Sequence, residues 1–286
     1  LNNNGAEIIF WPETALPYYL LSGGYSYEEG KIRNFTDSSN VFLISGMPHA
    51  FIYGNRNKPV DAKPLGDKFY TSYNSVLLFS PGEFEVPFYG KIMLVPFGER
   101  VPFLESLPWL GEIIRWNVGI SSWNVGKDTV IFNIPENNDT ERPSFNIGTV
   151  ICIESIYPEF VSAFVKKGAN IIAVLTNDSW YGNSSGPYQH KAYSQLRAVE
   201  NRRTIVRCAN GGISCVIDKS GKTIIRTQMF TKDAFVSKCG LNDDITFYTA
   251  NPLLLPGMSA FITLITIIMI IWKMLTLKIR IKNENS

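Results

Sequence analysis

From Gly257 to Leu277 the chain is almost wholly apolar, with Lys273 as its one charge. Such a run has few ways to fold. In hydrocarbon every backbone N–H and C=O must be satisfied within the segment, which leaves a helix. About 21 residues at about 1.5 Å each span about 30 Å, the thickness of a bilayer core. A buried helix of a soluble domain is the competing reading, but apolar runs of this length are rare there. Lys273, Lys278, Arg280 and Lys282 face only Glu284 in and after the run, a basic excess that marks the cytoplasmic side of a membrane helix. The expected organisation is a folded domain over 1–250, a membrane helix over 251–278 and a basic cytoplasmic tail over 279–286. The chain opens at Leu1, with no methionine or signal peptide, and soon enters an apolar run, so it reads as part of a longer protein.

The first 250 residues carry a different pattern. Short runs rich in β-branched and aromatic residues recur at 7–10, 41–45, 75–79, 147–151, 171–175, 204–208 and 213–217, most of them bounded by Gly, Pro, Asn or Asp. These read as strands. Helical spacing appears between some of them: 154–167 puts Ile156, Phe160, Ala163 and Phe164 on one face before Gly168, and 190–202 does the same with Tyr193, Leu196, Ala198 and Val199. Alternating strands and helices with continuously apolar strands imply a parallel or mixed sheet covered by helices, an α/β fold. Segments 54–70 and 135–143 read as polar surface loops. Segment 101–123 is long, apolar and poor in strand signals, as suits a lid or binding arm or a piece packed on the domain's own core.

Bulk composition excludes several functions. With 45% apolar residues among 286, the chain can bury a large core, and 18% charged residues argue against disorder. A net charge of +2 with no basic stripe excludes a nucleic-acid surface. Four cysteines (152, 208, 215 and 239) without C-x-x-C spacing give neither a zinc site nor a disulfide framework, so no metal and no cofactor are expected.

Three residues stand where chemistry could be done. Cys152 ends the run 147–151 just before a predicted helix; a cysteine in an apolar run is ordinarily core, but a strand-to-helix turn exposes its side chain, and a helix N-terminus would lower its pKa. Glu154 would share its cleft or cap that helix. Glu13 follows Pro12, which holds Trp11 extended and ends the first strand; near Phe10 and Trp11 it would be a partly desolvated carboxylate suited to moving a proton, or else a turn-capping surface glutamate. Lys91, between Gly90 and Ile92-Met-Leu-Val95, would bury its stem and need a carboxylate partner, with Glu99 the candidate; the alternative is a snorkelling strand lysine. A thiol, a carboxylate and an ammonium are the parts of covalent acyl transfer: nucleophile, proton carrier and oxyanion stabiliser. Cys208 and Cys215 read as core. His190 is the better placed of two histidines for a Cys–His site, but with Glu13 and Lys91 available it reads as structural, and His49 reads as a loop residue.

Trp11-Pro-Glu-Thr-Ala-Leu-Pro17, Gly90-Lys-Ile-Met-Leu-Val-Pro-Phe-Gly-Glu99, Cys152-Ile-Glu154, Thr176-Asn-Asp-Ser-Trp-Tyr-Gly182 and Gly186-Pro-Tyr-Gln-His190 together resemble the carbon-nitrogen hydrolase (nitrilase) superfamily. They resemble most its membrane branch, the bacterial apolipoprotein N-acyltransferases, from about residue 7 to the C-terminal helix. The resemblance implies a four-layer αββα sandwich. It also implies a triad of Glu13 as base, Lys91 as oxyanion stabiliser and Cys152 as nucleophile, with Glu99 and Glu154 in support. Trp11, Asn177, Asp178, Trp180 and Tyr181 would line or wall the substrate pocket. A phospholipid acyl donor, an apolipoprotein acceptor and the bilayer would be the partners, and the domain would lie on the outer face of the bacterial inner membrane. Two departures stand out: Ile153 replaces the tyrosine common after the nucleophile, and the family's N-terminal bundle of membrane helices is not in this sequence. A membrane-tethered amidase or nitrilase-type hydrolase, and an anchored domain without activity, are the alternatives.

Overall fold

The computed structural model describes residues 5–100, 123–137 and 142–284, with only the backbone of 278–284; all but one residue of the apolar arm expected at 101–123 lies outside this range. Two sheets carry the fold. The first is ordered β1 (Ile8–Trp11), β2 (Phe42–Tyr53), β4 (Lys68–Phe79), β3 (Lys63–Leu65), with β5 (Phe88–Gly90) also on β4. The second is ordered β11 (Thr223–Arg226), β10 (Cys215–Ile217), β9 (Thr204–Asn210), β8 (Ile171–Asn177), β7 (Phe145–Ile151), β6 (Ile131–Ile134). β1 runs parallel to β2, and β7, β8 and β9 run parallel to one another; the remaining pairings are antiparallel.

Period-two alternation sets the layers. On β2 and β4, Ile44, Val76 and Leu78 join Val150, Val174 and Val206 of the other sheet in one core cluster. Their neighbours Leu43, Met47, Leu77 and Phe79 instead pack with Ile32 of helix α1 (Ser26–Ser39) in a second cluster. Helices α2 (Pro158–Lys166) and α3 (Gly186–Asn201) contact β7 and β9 of the second sheet. The result is an α/β fold with helix, sheet, sheet and helix in order. A short α4 (Phe247–Ala250) leads to α5 (Leu254–Glu284), within which Leu254–Leu277 is long and apolar enough to cross a membrane and is unburied in this chain.

Several expectations need correction. His49 is no loop residue; it lies buried in β2, edge-on to Phe51 and tilted against Phe88. Pro48 is tolerated in this strand because β1 pairs only with Phe42–Ser45, which leaves that side of β2 free of β1 from Gly46 on. The polar stretch 54–70 is a loop only in part: it turns at Gly66-Asp67 into the β3–β4 hairpin. The single helix expected over 154–167 is a 3-10 turn, Cys152–Ile156, followed by α2, because Pro158 at its first turn fits only a new helix start.

Candidate active site

The residues singled out by sequence converge at the C-terminal ends of the parallel strands, where open α/β sheets place their ligands. Glu13 follows β1, Cys152 follows β7, and Asn177 ends β8. Lys91 follows β5, with its N–H donated to the Asn74 carbonyl (2.8 Å). Gly46 makes the Glu13 turn possible: a Cβ there would stand 2.6 Å from both the Glu13 Cα and the Pro12 carbonyl. Thr14, with φ 53°, completes the turn, and Ala15 N–H bonds the Gly46 carbonyl (2.8 Å).

Lys91 is buried. Its ammonium lies 2.9 Å from Glu99 Oε1 and 3.3 Å from Glu13 Oε1. Burial alone would lower its pKa, but the Glu13 and Glu99 carboxylates beside it help hold the lysine above its usual value. Asn74 closes the group, its Nδ2 donating to Glu13 Oε1 (2.7 Å) and to Glu99 Oε1 (2.8 Å). Glu13 Oε2 accepts from the Asn177 N–H (2.8 Å), and Glu99 Oε2 from the Val95 N–H (2.8 Å). Asn74 escaped the sequence reading because one asparagine within a polar half-strand carries no spacing signal.

Cys152 sits at a sharp elbow with φ 51°. Its thiol is pushed up to about 12, first by burial and then by the Glu13 carboxylate, against the lowering effect of Lys91 and a hydrogen bond with Thr176. The expectation that a helix N-terminus would acidify it fails: the turn that follows is a short 3-10 segment, and desolvation dominates. A thiol raised this far could act as a nucleophile near neutral pH only with a base to take its proton. Glu154 does not enter the cleft. It is fully buried and ties the elbow to the lysine segment, accepting from Ile151 N (2.7 Å), Ile92 N (2.7 Å), Met93 N (3.1 Å) and Tyr89 Oη (2.7 Å). Burial raises its pKa to about 7 despite these donors.

A second polar group lies behind the elbow. His190 Nε2 contacts the Cys152 carbonyl (3.0 Å) and Ser155 Oγ (2.9 Å), and its Nδ1 meets Asp178 Oδ1 (2.9 Å). Asp178 Oδ2 pairs with Arg207 (2.5 Å), and Thr176 Oγ1 donates to Asp178 Oδ1 (2.9 Å). Burial opposes the Asp178 charge, but His190 and Arg207 hold its pKa below the carboxylate norm. Thus His190 touches the Cys152 backbone. Asp178, expected along the pocket wall, is fully buried and stands behind it. Tyr181 has its ring centroid 6.4 Å from that of His190, Trp180 is 86% exposed, and the Asn177 side chain accepts from Ser179. Trp11 packs in the cluster under α1, on the face of β1 opposite Phe10.

Comparison with known proteins agrees with this geometry. The chain is similar to the apolipoprotein N-acyltransferase of Chlorobaculum tepidum, 36% identical over 250 residues that cover 87% of this chain and 46% of that protein. The enzyme of that name from Geobacter metallireducens is 31% identical over 243 residues, covering 85% and 42%. The chain therefore spans about half the length of the curated relatives it matches. In fold it is similar to an amidase from Nesterenkonia sp., with TM-score 0.53 and 16% identity over 87% of this chain and 81% of that one. The carbon-nitrogen hydrolase model matches residues 2–243, both sheets and every residue of the site included, and the chain belongs to that family.

Proposed function

We propose that this chain is the catalytic portion of an apolipoprotein N-acyltransferase. It would move an acyl group from a phospholipid, through a thioester on Cys152, to the α-amine of a lipid-modified N-terminal cysteine. The observation that carries this reading is the 36% identity to such an enzyme across 87% of the chain, which far exceeds the 16% shared with the amidase. The apolar helix Leu254–Leu277 supports it, because a lipid acyl donor has to be met in the membrane. The basic tail favours a cytoplasmic C-terminus and a domain on the periplasmic side of the inner membrane.

In the first half-reaction Glu13 takes the Cys152 proton as sulfur attacks the ester carbonyl, and the Lys91 ammonium balances the oxyanion. The ester C–O bond breaks, the proton passes to the departing alkoxide, and lysophospholipid leaves. In the second the acceptor amine attacks the thioester carbonyl, Glu13 takes the amine proton, the C–S bond breaks, the Cys152 sulfur recovers the proton, and an amide forms. Glu99 and Glu154 hold the lysine and the elbow in place.

The test uses the protein with its membrane helices, in detergent with phospholipid and no peptide. An acyl adduct on Cys152 should accumulate by intact mass, because in the proposed reaction an amine, and not water, resolves the thioester. A diacylglyceryl-cysteine peptide with a free amine should discharge it, and the same peptide with a blocked amine should not. Decay at the same rate without peptide, releasing free fatty acid, would make the protein a hydrolase.

A further inference from the structure

Two carboxylates share one lysine at this site, and a lysine alone does not hold such a pair. Lys91 Nζ meets Oε1 of Glu99 at 2.9 Å and Oε1 of Glu13 at 3.3 Å, so it sits nearer the residue that is not the proposed base. The second donor to both of these oxygens is the Asn74 amide, whose Nδ2 lies 2.7 Å from Glu13 and 2.8 Å from Glu99. One NH₂ group has two protons, one for each carboxylate. Asn74 itself cannot swing: it sits in β4, paired with Pro48, is buried, and its carbonyl holds the Lys91 N–H.

We infer that Asn74 is a positioning residue of the catalytic step, bridging Glu13 and Glu99 so that Glu13 stays in place for Cys152 while Lys91 remains free to meet the oxyanion. The inference rests on the reading of Glu13 as the base for Cys152. The charged or titratable groups facing Glu13 are Lys91, Glu99 and Cys152, and Asn74 is the neutral donor among them. Without its amide, Glu13 keeps the Asn177 N–H on Oε2, but Oε1 depends on Lys91 alone. The ammonium is then drawn towards two underbonded carboxylates, and the proton acceptor and the oxyanion donor lose their separate places.

Asn74→Asp is isosteric and replaces both donors by an acceptor; Asn74→Ser removes the amide and adds no charge. The readout is acylation of Cys152 by an activated p-nitrophenyl acyl ester, followed by nitrophenol release and intact mass against pH. This probe needs neither phospholipid nor acceptor. Both variants should lower the acylation rate constant at saturating ester by ~10-fold or more, with the half-saturating ester concentration little changed. The acid limb of the profile should move up by about one pH unit, the tenfold that a hydrogen bond to a charged group carries, and further for Asn74→Asp. A role in folding alone would lower Tm and leave that limb in place, and an unmoved limb in either folded variant overturns the inference. Wild-type protein that the ester fails to acylate at Cys152 would overturn the catalytic reading and this inference with it.

Discussion

Cys152 stands between two buried polar groups that solve the problem of internal charge in different ways. In front of the thiol, Glu13 and Glu99 share Lys91 and Asn74, and both carboxylates keep some exposure, 7% and 15% of their side chains. Behind the elbow, Asp178 and Arg207 are wholly buried as a pair, with His190, Thr176 and Ser155 completing the bonds. The front group has more carboxylates than cations, borders the Cys152 sulfur and, in the proposed mechanism, exchanges protons with a bound substrate. The rear group balances Asp178 against Arg207 and bonds the Cys152 backbone, whose φ of 51° is a conformation non-glycine residues seldom hold without support. The proposed mechanism assigns proton movement to the first and rigidity to the second, and substitutions should separate them.

The largest effect belongs to the sulfur that borders both groups. Cys152→Ala should abolish the covalent adduct with the fold retained, seen as no mass gain from an acyl donor; an adduct that persisted would move the nucleophile elsewhere. Next comes the rear pair. Arg207→Leu leaves the Asp178 charge buried without its partner, so urea unfolding should show a loss of about 3–5 kcal/mol. Lys91→Ala should cost less stability, because Glu13 and Glu99 are exposed enough to recruit water. Equal losses would erase the distinction between the two groups. The third effect is on rate: Glu13→Gln and Lys91→Ala should each slow acylation by at least ~10²-fold, the scale for a positioned acid–base group or oxyanion donor.

Much of this arrangement is legible in the residues, and what is not has physical causes. Glu13, Lys91 and Cys152 each stand beside an apolar run, so the strand ends that carry them can be found by pattern, and the motifs around them carry the family resemblance. Helix α1 has no comparable signal, since its buried face is little more than Ile32 and Thr36. β2 and β4 run far beyond their apolar halves because Ser72, Asn74 and His49 are buried in polar or aromatic company that a hydropathy pattern does not register. The rear group is hidden for a related reason. Asp178 and Arg207 are 29 positions apart, and only the parallel pairing of β8 with β9 brings them together. The motif naming Asp178 says that it matters, but not that it faces inward.

The smallest effect is the most discriminating, because it reads the front group through the thiol itself. Burial and the Glu13 carboxylate push Cys152 up to about 12, and burial, against the lowering effect of Arg207, takes Cys208 to about the same value. A raised thiol pKa means that the protonated form prevails through neutral pH, so alkylation by iodoacetamide should climb with pH past about 8.5, where a free thiol begins to level off. Glu13→Gln removes a charge that opposes the thiolate, and alkylation of Cys152 at fixed pH should become faster. Lys91→Met removes one that favours it, and the rate should fall. Each change should be worth about one pH unit, a factor of ~10, while the alkylation of Cys208, followed by peptide mapping in the same samples, should be indifferent to Glu13→Gln. A Cys152 rate that levels off near the free-thiol value and ignores Glu13 would mean that the front group does not control the sulfur, and the contrast between the two polar groups would lose its basis.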